Sequence, residues 1–305
     1  MPSLRDIRRR IKSVQSTKKI TQAMRMVAAA KVKKAENRVK ASRPFSNELN
    51  KAFERLLASK PNIHNMSIKT EKAIDNYPAL LKQRELKTVG LLSVSSDRGL
   101  AGAYNANVVR KTNARIRELQ SNNINVKLFV VGSKGLAALK KENVEIVENY
   151  VKMPVIPTAG SANVIAEDLA EYFVREEIDR IEIITTHFKS MISYDVQLWD
   201  VLPAVISPDA EEEEENVLHS EMLFEPDTET ILQNIVPLYL SNKVYQAMIE
   251  ASASELAAKM TAMSSATNNA NDMIQYLTVV YNKARQTSIT QEILEVISGA
   301  QAQSG

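Results

Sequence analysis

Residues 249–284 read IEASASELAAKMTAMSSATNNANDMIQYLTVVYNKA, without a glycine or a proline. Along this stretch Ile249, Ala253, Leu256, Met260, Met263, Thr267, Ala270, Ile274, Leu277, Tyr281 and Ala284 follow one another in alternating steps of four and three. That is a heptad seam, with Thr267 its one polar lapse. Much of it is alanine or methionine, which allows close and adaptable packing. Glycine and proline stay absent from Leu238 to Ser298. At ~1.5 Å rise per residue, that run makes a helix of roughly 90 Å. An isolated helix is marginal in water, so one this long needs a partner along its length.

The opposite end of the chain supplies the partner. Ser3 to Arg43 also lacks glycine and proline, enough for a helix of roughly 60 Å. Leu4, Ile7, Ile11 and Val14 take the same steps of three and four, and the seam weakens through Lys18 and Thr21. It resumes loosely at Met24, Val27, Ala28, Val32, Ala35 and Val39. The two ends are therefore expected to pair as an antiparallel coiled coil.

Between them the texture changes. Val89–Val94, Val126–Val131, Val144–Val147 and Ile181–Thr185 are short β-branched runs, and Tyr194–Leu202 reads as a further strand. Helical segments around Asn107–Gln120, Gly135–Glu142 and Ala162–Glu177 separate them. Strands alternating with helices imply a mostly parallel, doubly wound sheet. The fold class is thus α/β: a long antiparallel coiled coil of the N- and C-terminal helices plus a Rossmann-like, mostly parallel α/β domain. The expected divisions are an N-terminal helix over 1–60, a linker over 61–85 and the α/β domain over 86–206. An exposed acidic linker and foot follow over 207–230, then the C-terminal helix over 231–305.

Composition narrows the function. With no cysteine among 305 residues, thiol nucleophiles, disulfides and thiolate metal sites are excluded. His64, His187 and His219 have no ligand-like spacing, so no metal site is expected. No apolar run approaches the ~20 residues that span a bilayer, and the N-terminus has no apolar core of a secretory signal. The net charge of +3 hides a strong asymmetry: residues 1–40 hold thirteen Lys and Arg against Asp6 and Glu36, while Glu211–Glu215 is an acidic run. Such a basic helix suits nucleic acid, an anionic membrane surface or an acidic protein partner; its plain alternative is a solvated face. Missing interleaved aromatics disfavour nucleic acid. The turn Asp97-Arg98-Gly99-Leu100-Ala101-Gly102 and the segment Gly132–Gly135 follow strands, where backbone N–H groups can cradle phosphate. Neither carries a GxGxxG or GK[ST] pattern, so a structural turn is the better reading and a nucleotide-binding enzyme the competing one. Nothing forms an acid–base constellation, and no cofactor is expected.

The stretch IRRRIKSVQSTKKITQAMRMVAAAKVKKAE near the N-terminus resembles the opening helix of F-type ATP synthase gamma subunits. ATNNANDMIQYLTVVYNKARQTSITQEILEVISGA resembles their closing helix, and SSDRGLAGAYN, GSKG and FEPD fall in the family's order. The resemblance covers essentially the whole chain. It implies a rotor shaft inside a hexamer of alpha and beta subunits, which couples a proton- or sodium-driven membrane c-ring to catalytic sites on beta without chemistry of its own. It implies that Lys19, Met24, Arg25 and Val27 face the acidic lever of beta, and that Lys259, Arg285, Gln286, Thr290, Gln291 and Glu292 touch the beta catch loops. Phe224, Glu225, Pro226 and Asp227 match the foot that meets the c-ring and the epsilon subunit. Lys259 stands where many relatives have arginine, and the long insert and cysteine pair of the chloroplast type are missing. The pattern is bacterial, which implies a peripheral protein on the cytoplasmic face of the plasma membrane, with neither nucleic acid nor a small-molecule substrate as a direct partner.

Overall fold

The computed structural model describes residues 3–58, 77–203 and 228–303. The chain order is α1 (Leu4–Ala58), α2 (Tyr77–Leu80), β1 (Thr88–Val94), α3 (Tyr104–Ser121), β2 (Asn125–Val131), α4 (Ser133–Leu139) and β3 (Glu145–Tyr150). Then come α5 (Ala159–Val174), β4 (Arg180–Ser190), β5 (Ser193–Leu202) and α6 (Thr228–Gln303). Contacts divide the chain into two compact units, one of Met1–Ala29 with Lys259–Gly305 and one of Ala30–Ala258.

The first unit is a pair of antiparallel helical segments. Ile7, Thr21, Ala28, Met263 and Ala270 are buried, and Leu4, Ile11, Val14, Lys18, Met24, Met260, Thr267, Ile274, Leu277, Tyr281 and Ala284 are half-buried. The expected seam from Met260 to Ala284 is therefore the covered face of α6. On α1 the seam differs at one place: Val27 is 56% exposed, and the seam passes through Met24 and Ala28 instead. Two apolar residues in succession cannot share one helical face, and the smaller Ala28 takes the inside position.

The second unit holds a five-stranded sheet in the order β3-β2-β1-β4-β5. β1 to β4 are parallel neighbours, while β5 pairs antiparallel to β4 at the edge. The β-branched runs of β1, β2 and β4 are buried on both faces, as parallel strands with helices on either side require, while the edge strand β3 is only half-buried. On one face Phe53 and Leu56 of α1, Ile165, Leu169 and Phe173 of α5, and Leu232, Val236, Leu240 and Val244 of α6 pack into one cluster. On the other, Tyr104, Val108, Ile116 and Leu119 of α3 and Leu139 of α4 cover Val89, Leu91, Leu128 and Val130. Each such side chain, fully buried, contributes ~1.5–3 kcal/mol. α5 starts with a reciprocal cap in which Thr158 N–H donates to Ser161 Oγ at 3.1 Å and Ser161 N–H donates to Thr158 Oγ1 at 3.3 Å.

Both long helices continue through a proline. α1 passes Pro44 and α6 passes Pro237. Each proline leaves a carbonyl one turn earlier without its helical donor, at a cost of ~3 kcal/mol. Burial on both sides of Pro44, at Val39, Ser46, Leu49, Phe53 and Leu56, offsets that cost.

Candidate functional site

In the first unit the polar lapses of the two seams meet. Thr267 Oγ1 donates to Thr21 Oγ1 at 2.9 Å, and Thr21 donates in turn to the Lys18 carbonyl at 3.0 Å. Lys18 Nζ donates to Asn271 Oδ1 at 2.7 Å. With Thr21 opposite Thr267 and Lys18 opposite Asn271, the antiparallel register also sets Ile7 level with Tyr281, Ile11 with Leu277 and Val14 with Ile274. The unit is thus a two-helix rod whose register is fixed by one polar layer.

The candidate contact residues lie on this rod. Lys19, Arg25 and Val27 are exposed and Met24 is half-buried. On α6, Lys259 is half-buried while Arg285, Gln286, Thr290, Gln291 and Glu292 are exposed. The rod sets Lys259 close to the level of Val27 but keeps Arg285, Gln286, Thr290, Gln291 and Glu292 apart from the α1 group. The register sets Lys19–Val27 beside residues near 267, roughly 27 Å along the helix from Arg285. Beyond Thr290 every described side chain is exposed, including Ile293, Leu294, Val296 and Ile297. Phe224, Glu225, Pro226 and Asp227 lie outside the described residues.

The second unit shows what became of the nucleotide crevice. In a doubly wound sheet, ligands bind beyond the carboxyl ends of the strands where the strand order reverses, here between β1 and β4. α6 fills that place. Thr185 Oγ1 donates to the Ala247 carbonyl at 2.7 Å and Tyr104 Oη donates to the Ala251 carbonyl at 3.1 Å. Ser252 Oγ donates to the Val155 carbonyl at 2.5 Å. Ala247, Ala251, Ala253 and Ser254 are all buried, and such short side chains let the helix lie close against the strand ends. Burial raises the pKa of the Tyr104 hydroxyl well above that of free tyrosine, so it stays a donor.

The glycine-bearing turns are also occupied from within. Asp97 accepts from Ser133 N–H at 2.8 Å and from Met153 N–H at 2.9 Å. Its carboxylate stands where a phosphate would have to sit at the start of α4. Ser96 N–H donates to Asn105 Oδ1 at 3.1 Å and Ser96 Oγ to the Arg98 carbonyl at 2.8 Å, which closes the turn on itself. Gly132 has φ +94, and a Cβ there would lie 2.6 Å from the Ser95 carbonyl oxygen. Gly132 and Gly135 answer to packing against Ser95, the structural reading of that motif.

A buried polar knot joins α1, β4 and α6. Glu250 is 2% exposed and accepts from Arg43 Nε at 2.9 Å, Arg43 Nη2 at 3.1 Å, Gln246 Nε2 at 2.8 Å and Phe188 N–H at 2.9 Å. His187 Nδ1 lies 2.7 Å from the same carboxylate, and Arg43 also donates to the Phe188 carbonyl at 2.7 Å. Sequence reading missed this knot, because its bonds between α1, β4 and α6 join residues 62 to 207 positions apart and follow no spacing rule.

The family model described as ATP synthase matches residues 3–303. The ATP synthase gamma chain of Gloeothece citriformis (strain PCC 7424) is 43% identical over 99% of this chain and 100% of its own length. That of Picosynechococcus sp. (strain ATCC 27264 / PCC 7002 / PR-6) is equally similar, at 43% over the same shares. The chain belongs to the family of F-type ATP synthase gamma subunits. A gamma-type fold is also what the solved structures match. A chain of the Tetrahymena thermophila mitochondrial ATP synthase central stalk/c-ring structure has a TM-score of 0.57 at 27% identity, covering 81% of this chain and 99% of that one. A chain of the Euglena gracilis mitochondrial OSCP/F1/c-ring structure has a TM-score of 0.65, covering 98% and 94%, and at 18% identity its likeness concerns the fold. Among the described residues of this family member, no helix is long and apolar enough to cross a membrane.

Proposed function

We propose that this chain is the rotor shaft of a proton- or sodium-translocating F-type ATP synthase, turning with the membrane c-ring and driving the beta subunits through their affinity states. The observation that carries the reading is the two-helix rod held in one register by the Thr21–Thr267 layer. Two paired helices resist twist and bending far better than one, as a shaft must. The second unit supports a non-catalytic role, because α6 and the Asp97 carboxylate occupy the places where a nucleotide would bind in a sheet of this order.

In this reading Lys19, Met24, Arg25 and Val27 meet the acidic lever of beta, and the exposed cations attract it without fixed geometry. Lys259, Arg285, Gln286, Thr290, Gln291 and Glu292 meet the catch loops, while Phe224, Glu225, Pro226 and Asp227 form the foot on the c-ring and epsilon. The complex holds the chain peripherally on the cytoplasmic face of the plasma membrane. Reconstitution tests the proposal: the chain added to alpha and beta subunits raises their ATPase activity several-fold and hydrolyses nothing alone. A purified chain that turned over ATP unaided, or a hexamer indifferent to its addition, would refute it.

A further inference from the structure

The α/β unit carries a second surface that the rod contacts leave unused. α3 and α4 enclose an open groove of about 680 Å³, lined by Asn105, Ala106, Val109, Arg110, Asn113, Ala114, Arg117, Lys134 and Ala138. Its floor is made of small apolar groups, and its three ionic side chains are all cations. Among the described residues, the side chains of Arg117 and Lys134 make no hydrogen bond or ion pair. Arg110 donates only to the neutral Asn107 amide, at 2.7 Å. The neighbouring carboxylates are otherwise engaged: Glu118 with Arg115 at 2.9 Å, and Glu142 as acceptor of the Asn113 amide at 2.6 Å. Three like charges around one groove repel one another until an anion answers them.

We infer that this groove docks an acidic amphipathic helix of another protein, its apolar face on Ala106, Val109, Ala114 and Ala138 and its carboxylates on Arg110, Arg117 and Lys134. Helix-in-groove docking needs this combination of a shallow apolar floor and charged rims. An inorganic polyphosphate would satisfy the cations, but it has no use for the alanine floor.

The test uses the full-length chain and a fluorescently labelled, end-blocked helical peptide of leucine, alanine and glutamate, with the glutamates one turn apart. Anisotropy is read at about 150 mM salt, where loosely held surface charge is screened. The peptide is expected to bind saturably, and the triple variant Arg110→Glu, Arg117→Glu, Lys134→Glu to weaken it at least tenfold. Lys82→Glu, Lys140→Glu, Lys189→Glu makes the same change of net charge outside the groove and should shift the affinity less than twofold. Ala114→Phe keeps every charge but fills the floor, and should also weaken binding tenfold. Circular dichroism of each variant establishes that it is folded. Equal losses in the two triple variants, an unaffected Ala114→Phe, or full displacement of the peptide by an equimolar amount of tripolyphosphate would each overturn the inference.

Discussion

Thr21 and Thr267 face each other across the seam of the rod with their hydroxyls 2.9 Å apart, so the polar lapse of the α6 seam meets the polar stretch of the α1 seam. A slip of either helix would set each hydroxyl against an apolar side chain and break the bond between them, a loss of ~0.5–1.5 kcal/mol, although each keeps its bond to a carbonyl of its own helix. The layer thus selects register more than it adds stability.

The first prediction follows from that pairing. Thr21→Val or Thr267→Val alone is expected to destabilise the chain by ~1 kcal/mol, because each removes the hydrogen bond between the helices and sets the remaining hydroxyl, still bonded to a carbonyl of its own helix, against an apolar side chain. The double variant should recover most of the loss, since two apolar groups facing each other strand nothing. Denaturant midpoints of the four proteins give the coupling; additive losses would mean the hydroxyls do not interact.

Glu250 supplies the second. Glu250→Ala leaves the Arg43 guanidinium and the Phe188 N–H without their acceptor, and should cost ~3–5 kcal/mol. Replacing both members, Arg43→Met with Glu250→Met, is expected to cost less than Glu250→Ala, because no charge is then left unpaired. Urea unfolding separates the two cases, and a double variant worse than the single one would contradict the account.

Ser95 decides the third. A Cβ at Gly135 would lie 2.3 Å from Ser95 Oγ, a side-chain atom, whereas at Gly132 it would meet Ser95 backbone at 2.6 Å in a left-handed conformation. Both Gly132→Ala and Gly135→Ala should destabilise, by ~1–3 kcal/mol or more. Adding Ser95→Gly should partly rescue Gly135→Ala and leave Gly132→Ala unrescued. Thermal unfolding of the two double variants checks this, with equal rescue as the contrary outcome.

Arg25 tests the proposed lever contact. It is exposed on α1, and reversal of an exposed charge changes stability within about 0.5 kcal/mol. Arg25→Glu should therefore leave the isolated chain's melting unchanged and let the complex assemble, yet lower ion pumping per ATP hydrolysed. Undiminished pumping would remove Arg25 from the coupling surface.

The rod and the sheet were readable in the sequence because both write a period into it. The steps of three and four from Met260 to Ala284 coincide with the covered face of α6, and the β-branched runs at Val89–Val94, Val126–Val131 and Ile181–Thr185 lie within β1, β2 and β4. The terminal helices, expected over 1–60 and 231–305, run over Leu4–Ala58 and Thr228–Gln303, where tertiary burial overrides the local penalty of Pro44 and Pro237. Val27 was misplaced because hydrophobicity alone does not say which of two adjacent residues turns inward. Asp97 was placed in a structural turn, but its acceptor role at Ser133 and Met153 is non-local and left no trace in spacing. The same holds for α6 lying over the ends of β1 and β4.

The buried alanines of α6 have one further consequence. Because Ala247 and Ala251 approach Thr185 and Tyr104 backbone-first, the hydrogen bonds run to main-chain carbonyls that every residue type possesses. Evolution is therefore held at these positions by girth alone: any side chain thicker than a methyl would wedge the helix off the sheet, and no change of chemistry at the same width would.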